Sequence, residues 1–211
     1  RVSLPGGCAI GTRPVDLHLF ALSKLGAKIK IKDGYIIAEA KKGLQGTKIS
    51  FPSISVGATE NAILAAYGAK GTTTLMNCAI EPEIKDLIYF LKKLGCKIKV
   101  SGRKITILGK NFSKKKINHK IIFDRIEAGT YLIAGALISK KIVIKQIDPK
   151  IFKFEIDTLK KMGVKIIKNK NSISILRSKN LKNINISTKP YPGFPTDLQA
   201  QLMVLMTQAN G

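Results

Sequence analysis

The sequence predicts an α+β fold made of repeated units, each with two helices and four short strands. Three stretches share one pattern, in which an amphipathic helix ends at a glycine and a strand follows. The glycines are Gly26, Gly95 and Gly163, and they are almost evenly spaced. Glycine is the usual left-handed residue that ends a helix. Strands and helices alternate irregularly, which favours α+β layers over a doubly wound parallel sheet.

The elements of each copy follow in chain order. Each glycine is followed by a predicted hairpin, and Asp33-Gly34 is a typical tight turn for the first one. The hairpin strands are predicted at 28–31 with 35–38, 97–100 with 104–108, and 165–168 with 172–176. Each copy continues with a strand and a second helix, predicted at 48–51 and 56–67, at 120–123 and 126–137, and at 185–187 and 197–207. Closing strands are predicted at 72–76 and 141–145.

Composition limits the class of protein. The chain has 37 lysine and arginine residues against 13 aspartate and glutamate, a net charge of +24 that by itself suggests a nucleic-acid or membrane partner. The excess is almost all lysine and is spread along the whole chain without interleaved aromatic residues, whereas nucleic-acid modules usually need stacking platforms or a recognisable motif. No apolar run is long enough to span a membrane. We therefore expect neither a nucleic-acid partner nor membrane insertion.

Three cysteines and two histidines indicate the compartment and the metal content. An odd number of cysteines without close pairing fits a reducing compartment, so a cytoplasmic location is expected. Cys78 and Cys96 lie in apolar segments and are predicted to be buried. Because His18 and His119 are far apart in the sequence, no zinc cluster is indicated. Neither a metal nor a cofactor is expected.

The first eighteen residues hold the most distinctive chemistry. A strand-like run leads into a loop with three glycines, Cys8 stands in that loop, and Arg13 and Pro14 mark a predicted helix start. A nearby guanidinium and a helix N-terminus both lower the pKa of a thiol. A helix N-terminus also favours an anionic ligand. The residues alone leave two readings open: a reactive thiolate, or a cysteine that packs as a small apolar residue.

A resemblance covers this loop and nearly all of the chain. The string PGGCAIGTRPVDLH at 5–18 resembles the catalytic loop of the UDP-N-acetylglucosamine enolpyruvyl transferases. Four further strings agree in the same order: SVGAT at 55–59, EPE at 81–83, DRIEAGT at 124–130 and FPTDLQAQ at 194–201. One glycine-rich loop would be weak evidence, but five ordered strings identify the family.

The resemblance implies both an architecture and an activity. The family folds as an inside-out α/β barrel of two similar domains built from such units, with helices inside and sheets outside. Residues 1–122 would then form most of the catalytic domain with the cysteine loop, and residues 123–211 part of the second domain. The family transfers the enolpyruvyl group of phosphoenolpyruvate to the 3′-hydroxyl of UDP-N-acetylglucosamine and releases phosphate, the first committed step of peptidoglycan synthesis.

Both ends of the sequence fall within predicted elements, so we expect an internal piece of a longer protein. Such a piece is expected to be inactive alone. The apolar face of its last helix, with Leu202 and Leu205, is expected to lack a packing partner.

The resemblance also implies roles for residues of the first loop. Cys8 matches the cysteine that acts as general acid, forms an adduct with phosphoenolpyruvate and is alkylated by fosfomycin; a thiol can both donate a proton and attack carbon. Arg13 matches the arginine on substrate phosphate, which suits its planar fork. The residues that match the segment bordering uracil and ribose are Pro14, Val15, Asp16 and Leu17. His18 follows them and reads as a helix-face residue.

Two further segments carry implied roles. The segment that matches the diphosphate-binding one comprises Ser53, Ile54, Ser55, Val56 and Gly57. The family commonly has a lysine where Ser53 stands, so a direct charge on the diphosphate is in doubt here. Asp197 matches the aspartate that faces the sugar 3′-hydroxyl, a candidate base. Ser55 and Asp197 also read as plain helix N-caps.

Two rival functions remain at the level of the sequence. The shikimate-pathway enolpyruvyl transferase shares the fold, but its pattern lacks the loop cysteine, so Cys8 argues against it. The rival from another class is a basic, repeat-built nucleic-acid-binding protein.

Overall fold

A computed structural model describes residues 1–6, 14–109, 116–138, 140–178 and 180–211 of the chain. Helices and strands alternate along it, and the α+β prediction is confirmed. The chain divides into two units, Arg1–Lys120 and Ile121–Gly211. The assignment of residues 1–122 and 123–211 to two functional domains stays a prediction.

The described residues of the first unit form three helices and two sheets. The helices are α1 (Asp16–Lys24), α2 (Val56–Gly68) and α3 (Pro82–Lys93). The strands are β1 (Val2–Ser3), β2 (Lys28–Lys32), β3 (Tyr35–Glu39), β4 (Lys48–Ser50), β5 (Thr72–Met76), β6 (Lys97–Ser101) and β7 (Lys104–Leu108). One sheet has the order β1-β3-β2 and the other β4-β5-β7-β6. Only β4 and β5 run parallel; the other neighbours are antiparallel.

The second unit repeats the second half of this pattern. Its helices are α4 (Arg125–Ile138), α5 (Lys153–Lys161) and α6 (Gln199–Met206), and its strands are β8 (Lys141–Lys145), β9 (Lys165–Asn169), β10 (Ser172–Leu176), β11 (Leu181–Lys182) and β12 (Ala209–Asn210). The order β8-β10-β9 corresponds to β5-β7-β6, with antiparallel neighbours in both. Short turns of 3₁₀ helix, Pro149–Phe152 and Thr196–Leu198, precede α5 and α6.

The three repeat glycines end α1, α3 and α5 in one conformation. Gly26, Gly95 and Gly163 have φ angles of 97°, 91° and 92°, the left-handed region that glycine adopts without strain. In each copy the glycine N–H donates to the carbonyl three residues back, at 2.9 Å. The next N–H donates to the carbonyl five residues back, at 3.0 Å. This is the Schellman arrangement, so the sequence prediction of three equivalent helix ends is confirmed.

Each unit has its own apolar core. In the first unit α2 is the central helix, and its buried face is made of small residues with one large one: Ala58, Ala62, Ile63 and Ala66. In the second unit the buried residues include Leu132 of α4 and Phe152 before α5. Leu202 and Leu205 of α6 are also buried there. The expectation that these two leucines lack a partner is wrong, because the core that contains α4 covers them.

Three predicted elements differ from the structure. Pro14 is not in the first turn of α1: the helix begins at Asp16, because the carbonyl of Val15 is the first to accept a helical hydrogen bond, from the Leu19 N–H at 3.0 Å. The predicted strands at 120–123 and 185–187 are not strands. In the first of these segments Phe123 stacks on Phe152, with ring centroids 5.8 Å apart, so its side chain joins the core of the second unit.

Candidate functional site

The start of α1 carries the segment for which the resemblance implies contacts with uracil and ribose. Pro14 and Asp16 are exposed, and Val15 and Leu17 are half-buried. Leu17 packs against the core of the first unit, which fixes this end of α1 in place. Asp16 lies in the first turn, where a carboxylate interacts favourably with the positive end of the helix. The segment therefore presents alternating half-buried and exposed residues at one helix start.

The start of α2 carries the segment for which the resemblance implies contacts with the diphosphate. Ser55 is the N-cap, in extended conformation, and its Oγ accepts a hydrogen bond from the Ala58 N–H at 3.3 Å. Thr59 Oγ1 donates to the Ser55 carbonyl at 2.7 Å and accepts from the Ala79 N–H at 3.0 Å. The N-cap reading of Ser55 is confirmed. The N–H groups of Val56 and Gly57 are in the first turn, where a helix offers no acceptor of its own.

The two helix starts meet at His18. The Asn61 side-chain nitrogen lies 3.0 Å from His18 Nδ1 and links α2 to α1. A methyl group on Gly57 would come within 3.2 Å of His18 Cε1 and 3.4 Å of Nε2. Gly57 therefore permits the close approach of the imidazole to the first turn of α2. The prediction that His18 is merely a helix-face residue misses this contact.

The cap of α2 differs from the cap of the corresponding helix α4. There Asp124 Oδ1 accepts hydrogen bonds from the Ile126 and Glu127 N–H groups at 2.7 and 3.1 Å. A carboxylate satisfies two N–H groups and neutralises the positive end of α4. Ser55 satisfies one N–H group and brings no charge. The first turn of α2 is thus better suited to an external anion than the first turn of α4.

Ser53 and Ile54 lie just before this cap. Ser53 is exposed, and Ile54 is half-buried against the core of the first unit. The exposed serine stands where the resembling family commonly has a lysine. At this position the chain therefore offers a hydroxyl and not a positive charge.

Asp197 lies in the second unit, in the 3₁₀ turn Thr196–Leu198 that leads into α6. Its side chain is exposed, and the turn has no side-chain cap hydrogen bond, so the N-cap reading of Asp197 is wrong. The next residue, Leu198, is buried against Gly129, where an added methyl group would come within 2.6 Å of Leu198 Cδ1. This contact fixes the turn and leaves the carboxylate in solvent.

Glu60, one turn into α2, was not anticipated from the sequence. Burial raises the pKa of its carboxyl group above the ordinary 4.5, and the charges of Glu83 and Glu81 raise it further. The three glutamates come from two helices, α2 and the start of α3. No local sequence pattern predicts that these three glutamates lie close together, because their proximity depends on how α2 and α3 pack.

The cysteine and arginine of the first loop, Cys8 and Arg13, lie outside the residues that the structure describes. The other two thiols are buried, as predicted. Burial raises the pKa of Cys78 to about 12, against the opposing charge of Arg103, and burial also raises the pKa of Cys96. Both therefore stay protonated at neutral pH.

The described part of the chain offers neither a metal-binding cluster nor a helix fit to cross a membrane. No group of three or more His, Cys, Asp or Glu side chains in it is placed to hold a metal ion. Its helices are too short or too polar to cross a membrane.

A family model settles where the chain belongs. The model described as EPSP synthase (3-phosphoshikimate 1-carboxyvinyltransferase) matches residues 1–211. The chain belongs to the EPSP synthase family.

Curated proteins are similar to the whole chain. UDP-N-acetylglucosamine 1-carboxyvinyltransferase of Pelagibacter ubique is 62% identical over 211 residues, and the protein of the same name from Endomicrobium trichonymphae is 53% identical over 212. Each alignment covers 100% of this chain and 50% of the relative. The chain therefore spans about half the length of these relatives.

Two solved structures show the same fold. The enolpyruvyl transferase NikO from Streptomyces tendae matches 95% of this chain and 50% of its own, with a TM-score of 0.82 and 23% identity. An EPSP synthase from Acinetobacter baumannii matches 94% of this chain and 47% of its own, with a TM-score of 0.62 and 22% identity. The predicted enolpyruvyl-transferase fold is confirmed.

Proposed function

We propose that the protein transfers the enolpyruvyl group of phosphoenolpyruvate to the 3′-hydroxyl of UDP-N-acetylglucosamine and releases phosphate. One observation carries the proposal: 62% identity, over the whole chain, to a UDP-N-acetylglucosamine 1-carboxyvinyltransferase. The reaction would supply peptidoglycan synthesis in the cytoplasm. Residues 1–122 would be most of the catalytic domain, and residues 123–211 part of the second domain.

The nucleotide end of the substrate is assigned to the two helix starts of the first unit. The segment 14–17 borders uracil and ribose, and the first turn of α2 holds the diphosphate. The neutral Ser55 cap supports this assignment, because it leaves the N–H groups of Val56 and Gly57 to phosphate oxygens and places no negative charge beside them. Arg13 would add the positive charge that Ser53 does not supply, since a guanidinium binds two phosphate oxygens at once.

The chemistry is assigned to Cys8 and Asp197. In the addition step Cys8 donates a proton to the methylene carbon of phosphoenolpyruvate, the sugar 3′-oxygen bonds to the adjacent carbon, and Asp197 accepts the hydroxyl proton. In the elimination step phosphate leaves with the carbon–oxygen electron pair, and the Cys8 thiolate takes a proton back from the new methyl group, which restores the double bond and the thiol. The exposed position of Asp197 beside the anchored Leu198 supports its access to a substrate. A reactive Cys8 would also be the residue that fosfomycin alkylates.

The second candidate is transfer to shikimate 3-phosphate, which the description of the matching family model favours. A substrate panel separates the two. Because the chain spans about half the length of its relatives and is expected to be inactive alone, the test uses a protein in which the chain is completed to their full length. That protein is incubated with phosphoenolpyruvate and either acceptor, and phosphate release is followed for the wild type and for Cys8→Ala. We expect release with UDP-N-acetylglucosamine alone, abolished in Cys8→Ala. Release that requires shikimate 3-phosphate would replace the proposal with the second candidate.

A further inference from the structure

We propose that His18 is a positioning residue that couples the uridine-binding and diphosphate-binding segments, so that both bind one nucleotide ligand together. The inference rests on the proposed function, because it takes a uridine diphosphate sugar as the ligand. It assigns a role to a residue that has none in the site described above.

Two contacts tie His18 to α2. Its Nδ1 lies 3.0 Å from the side-chain nitrogen of Asn61, and these residues are 43 positions apart in the sequence. Because an amide nitrogen can only donate, His18 Nδ1 accepts this hydrogen bond and the ring proton is on Nε2. The imidazole also lies against Gly57 of α2, where an added methyl group would be 3.2 Å from His18 Cε1. The imidazole is therefore held at two places along the first turns of α2.

The same side chain belongs to α1, directly after the segment 14–17. Any shift of α1 along α2 would have to break the hydrogen bond to Asn61 or push the ring into the α2 backbone at Gly57. His18 thus sets the distance between the exposed residues Pro14 and Asp16 and the first turn of α2. When two binding segments are held at the correct separation, they bind a ligand that reaches both far more tightly than they bind either half of that ligand. The reason is that the second contact becomes intramolecular once the first has formed.

A comparison of three ligands tests this role. Dissociation constants for UDP, uridine and pyrophosphate are measured by titration with the full chain in the wild type, His18→Ala and His18→Phe. Ser23→Ala, an exposed change on the same helix, is the matched control. We expect His18→Ala to weaken UDP binding by about tenfold, the effect of one lost hydrogen bond with its packing, and to leave uridine and pyrophosphate unchanged. His18→Phe, which keeps a ring against Gly57, should lose less.

Each other outcome overturns the inference. Equal UDP binding in His18→Ala and in the wild type would show that His18 couples nothing. A parallel loss of UDP and pyrophosphate binding would indicate direct phosphate contact, and a parallel loss of all three ligands would indicate a merely structural role. If the wild type binds none of the three, the proposed function itself fails, which separates that failure from the failure of the inference.

Discussion

At Gly109 the chain passes so close to the end of α2 that a side chain has no room. A methyl group there would come within 2.1 Å of the Ala69 carbonyl oxygen and 2.4 Å of the Ala66 carbonyl oxygen. Both are backbone atoms at a helix end, so the helix itself would have to move. We expect Gly109→Ala to lower the free energy of unfolding by about 1–3 kcal/mol, as overpacked cores do.

Gly68, the last residue of α2, is the matched control for the change at Gly109. Nothing lies within 4 Å of a methyl group at Gly68, so Gly68→Ala should be neutral or stabilise the protein by up to about 1 kcal/mol. Denaturant unfolding of both variants measures the difference. Equal stability of the two variants would contradict the crowding at Gly109.

The burial of two thiols predicts selective labelling at the third. With a pKa of about 12, Cys78 is almost entirely protonated at pH 8, and burial also raises the pKa of Cys96. Only thiolates react with alkylating reagents. We expect Cys8 to be modified first, and Cys78 and Cys96 only after unfolding. Peptide mapping after brief treatment checks this, with Cys78→Ser unchanged in labelling rate and Cys8→Ser unlabelled; equal modification of all three thiols would contradict it.

The raised pKa of Glu60 predicts that the protein loses stability as the pH rises. Its native pKa is above the ordinary 4.5, so folding disfavours the ionised form, and its stabilising contribution is lost as the pH rises through the native pKa. Glu60→Gln should therefore melt at a higher temperature than the wild type at pH 7, and the gain should vanish below about pH 4.5.

Glu39→Gln is the control for the Glu60 change. Glu39 is exposed and lies 3.9 Å from Lys41, so its replacement removes a weak attraction and relieves no repulsion. Thermal melts from pH 4 to pH 8 compare the two variants. A gain for Glu60→Gln that does not depend on pH would show that the charge of Glu60 is not its cause.

At the scale of elements, the sequence predicts what depends on local rules. The three helix-ending glycines and the Asp33-Gly34 turn follow from backbone conformation, and the structure has both. The prediction of strands at 120–123 and 185–187 is wrong because a strand requires a partner strand, and a short-range sequence pattern does not show whether a partner is present. Phe123 illustrates the competing effect, since core packing against Phe152 determines where that segment lies.

In the candidate site, too, features set by local sequence can be predicted, and features set by packing between elements cannot. The cap at Ser55 can be predicted from a serine before a helix, and the binding segments can be recognised from ordered strings. The contacts of His18 with Gly57 and Asn61 could not be predicted, because they depend on how α1 packs against α2. The exposure of Asp197 depends likewise on the fit of its neighbour Leu198 against Gly129 in α4.

Residues 116–120 are attached to α3 by a histidine with a buried side chain. His119 Nε2 lies 3.1 Å from Asp86 Oδ2, and only 7% of the His119 side chain is exposed. Its ring contacts Tyr89 and Phe90, with centroids 5.7 and 5.3 Å away. We expect His119→Ala to lower the free energy of unfolding by about 1–3 kcal/mol, because it removes a charge-assisted hydrogen bond and aromatic packing.

The neighbouring residue provides a control for this attachment. Asn118 contributes its backbone carbonyl, which accepts a hydrogen bond from Lys93 Nζ at 3.0 Å, and that bond survives a change of side chain. Asn118→Ala should therefore stay within about 0.5 kcal/mol of the wild type. Limited proteolysis provides a second measurement, with faster cleavage near residue 119 expected in His119→Ala alone. Identical cleavage of the two variants would show that His119 does not hold the segment.

At the scale of the whole molecule, the charge is diffuse. Every lysine in the described part of the chain is exposed, on strands, helices and turns of both units. The strands β2 and β9 show the pattern, with lysines projecting from sheet surfaces and no stacking aromatic ladder beside them. A net charge of +24 spread in this way attracts polyanions without selecting among them.

The last prediction follows from this distribution. We expect the protein to bind duplex DNA weakly at 50 mM salt and to lose about 10³–10⁵ in affinity by 200 mM, as a protein that contacts 6–10 phosphates does through counterion release. Heparin should compete as well as DNA, because neither is read by specific contacts. Fluorescence anisotropy over a salt series measures this, with UDP-N-acetylglucosamine binding followed in the same buffers. DNA binding that persists at 200 mM salt and prefers one sequence would contradict a diffuse surface and support the nucleic-acid-binding alternative, since selective affinity requires a built site.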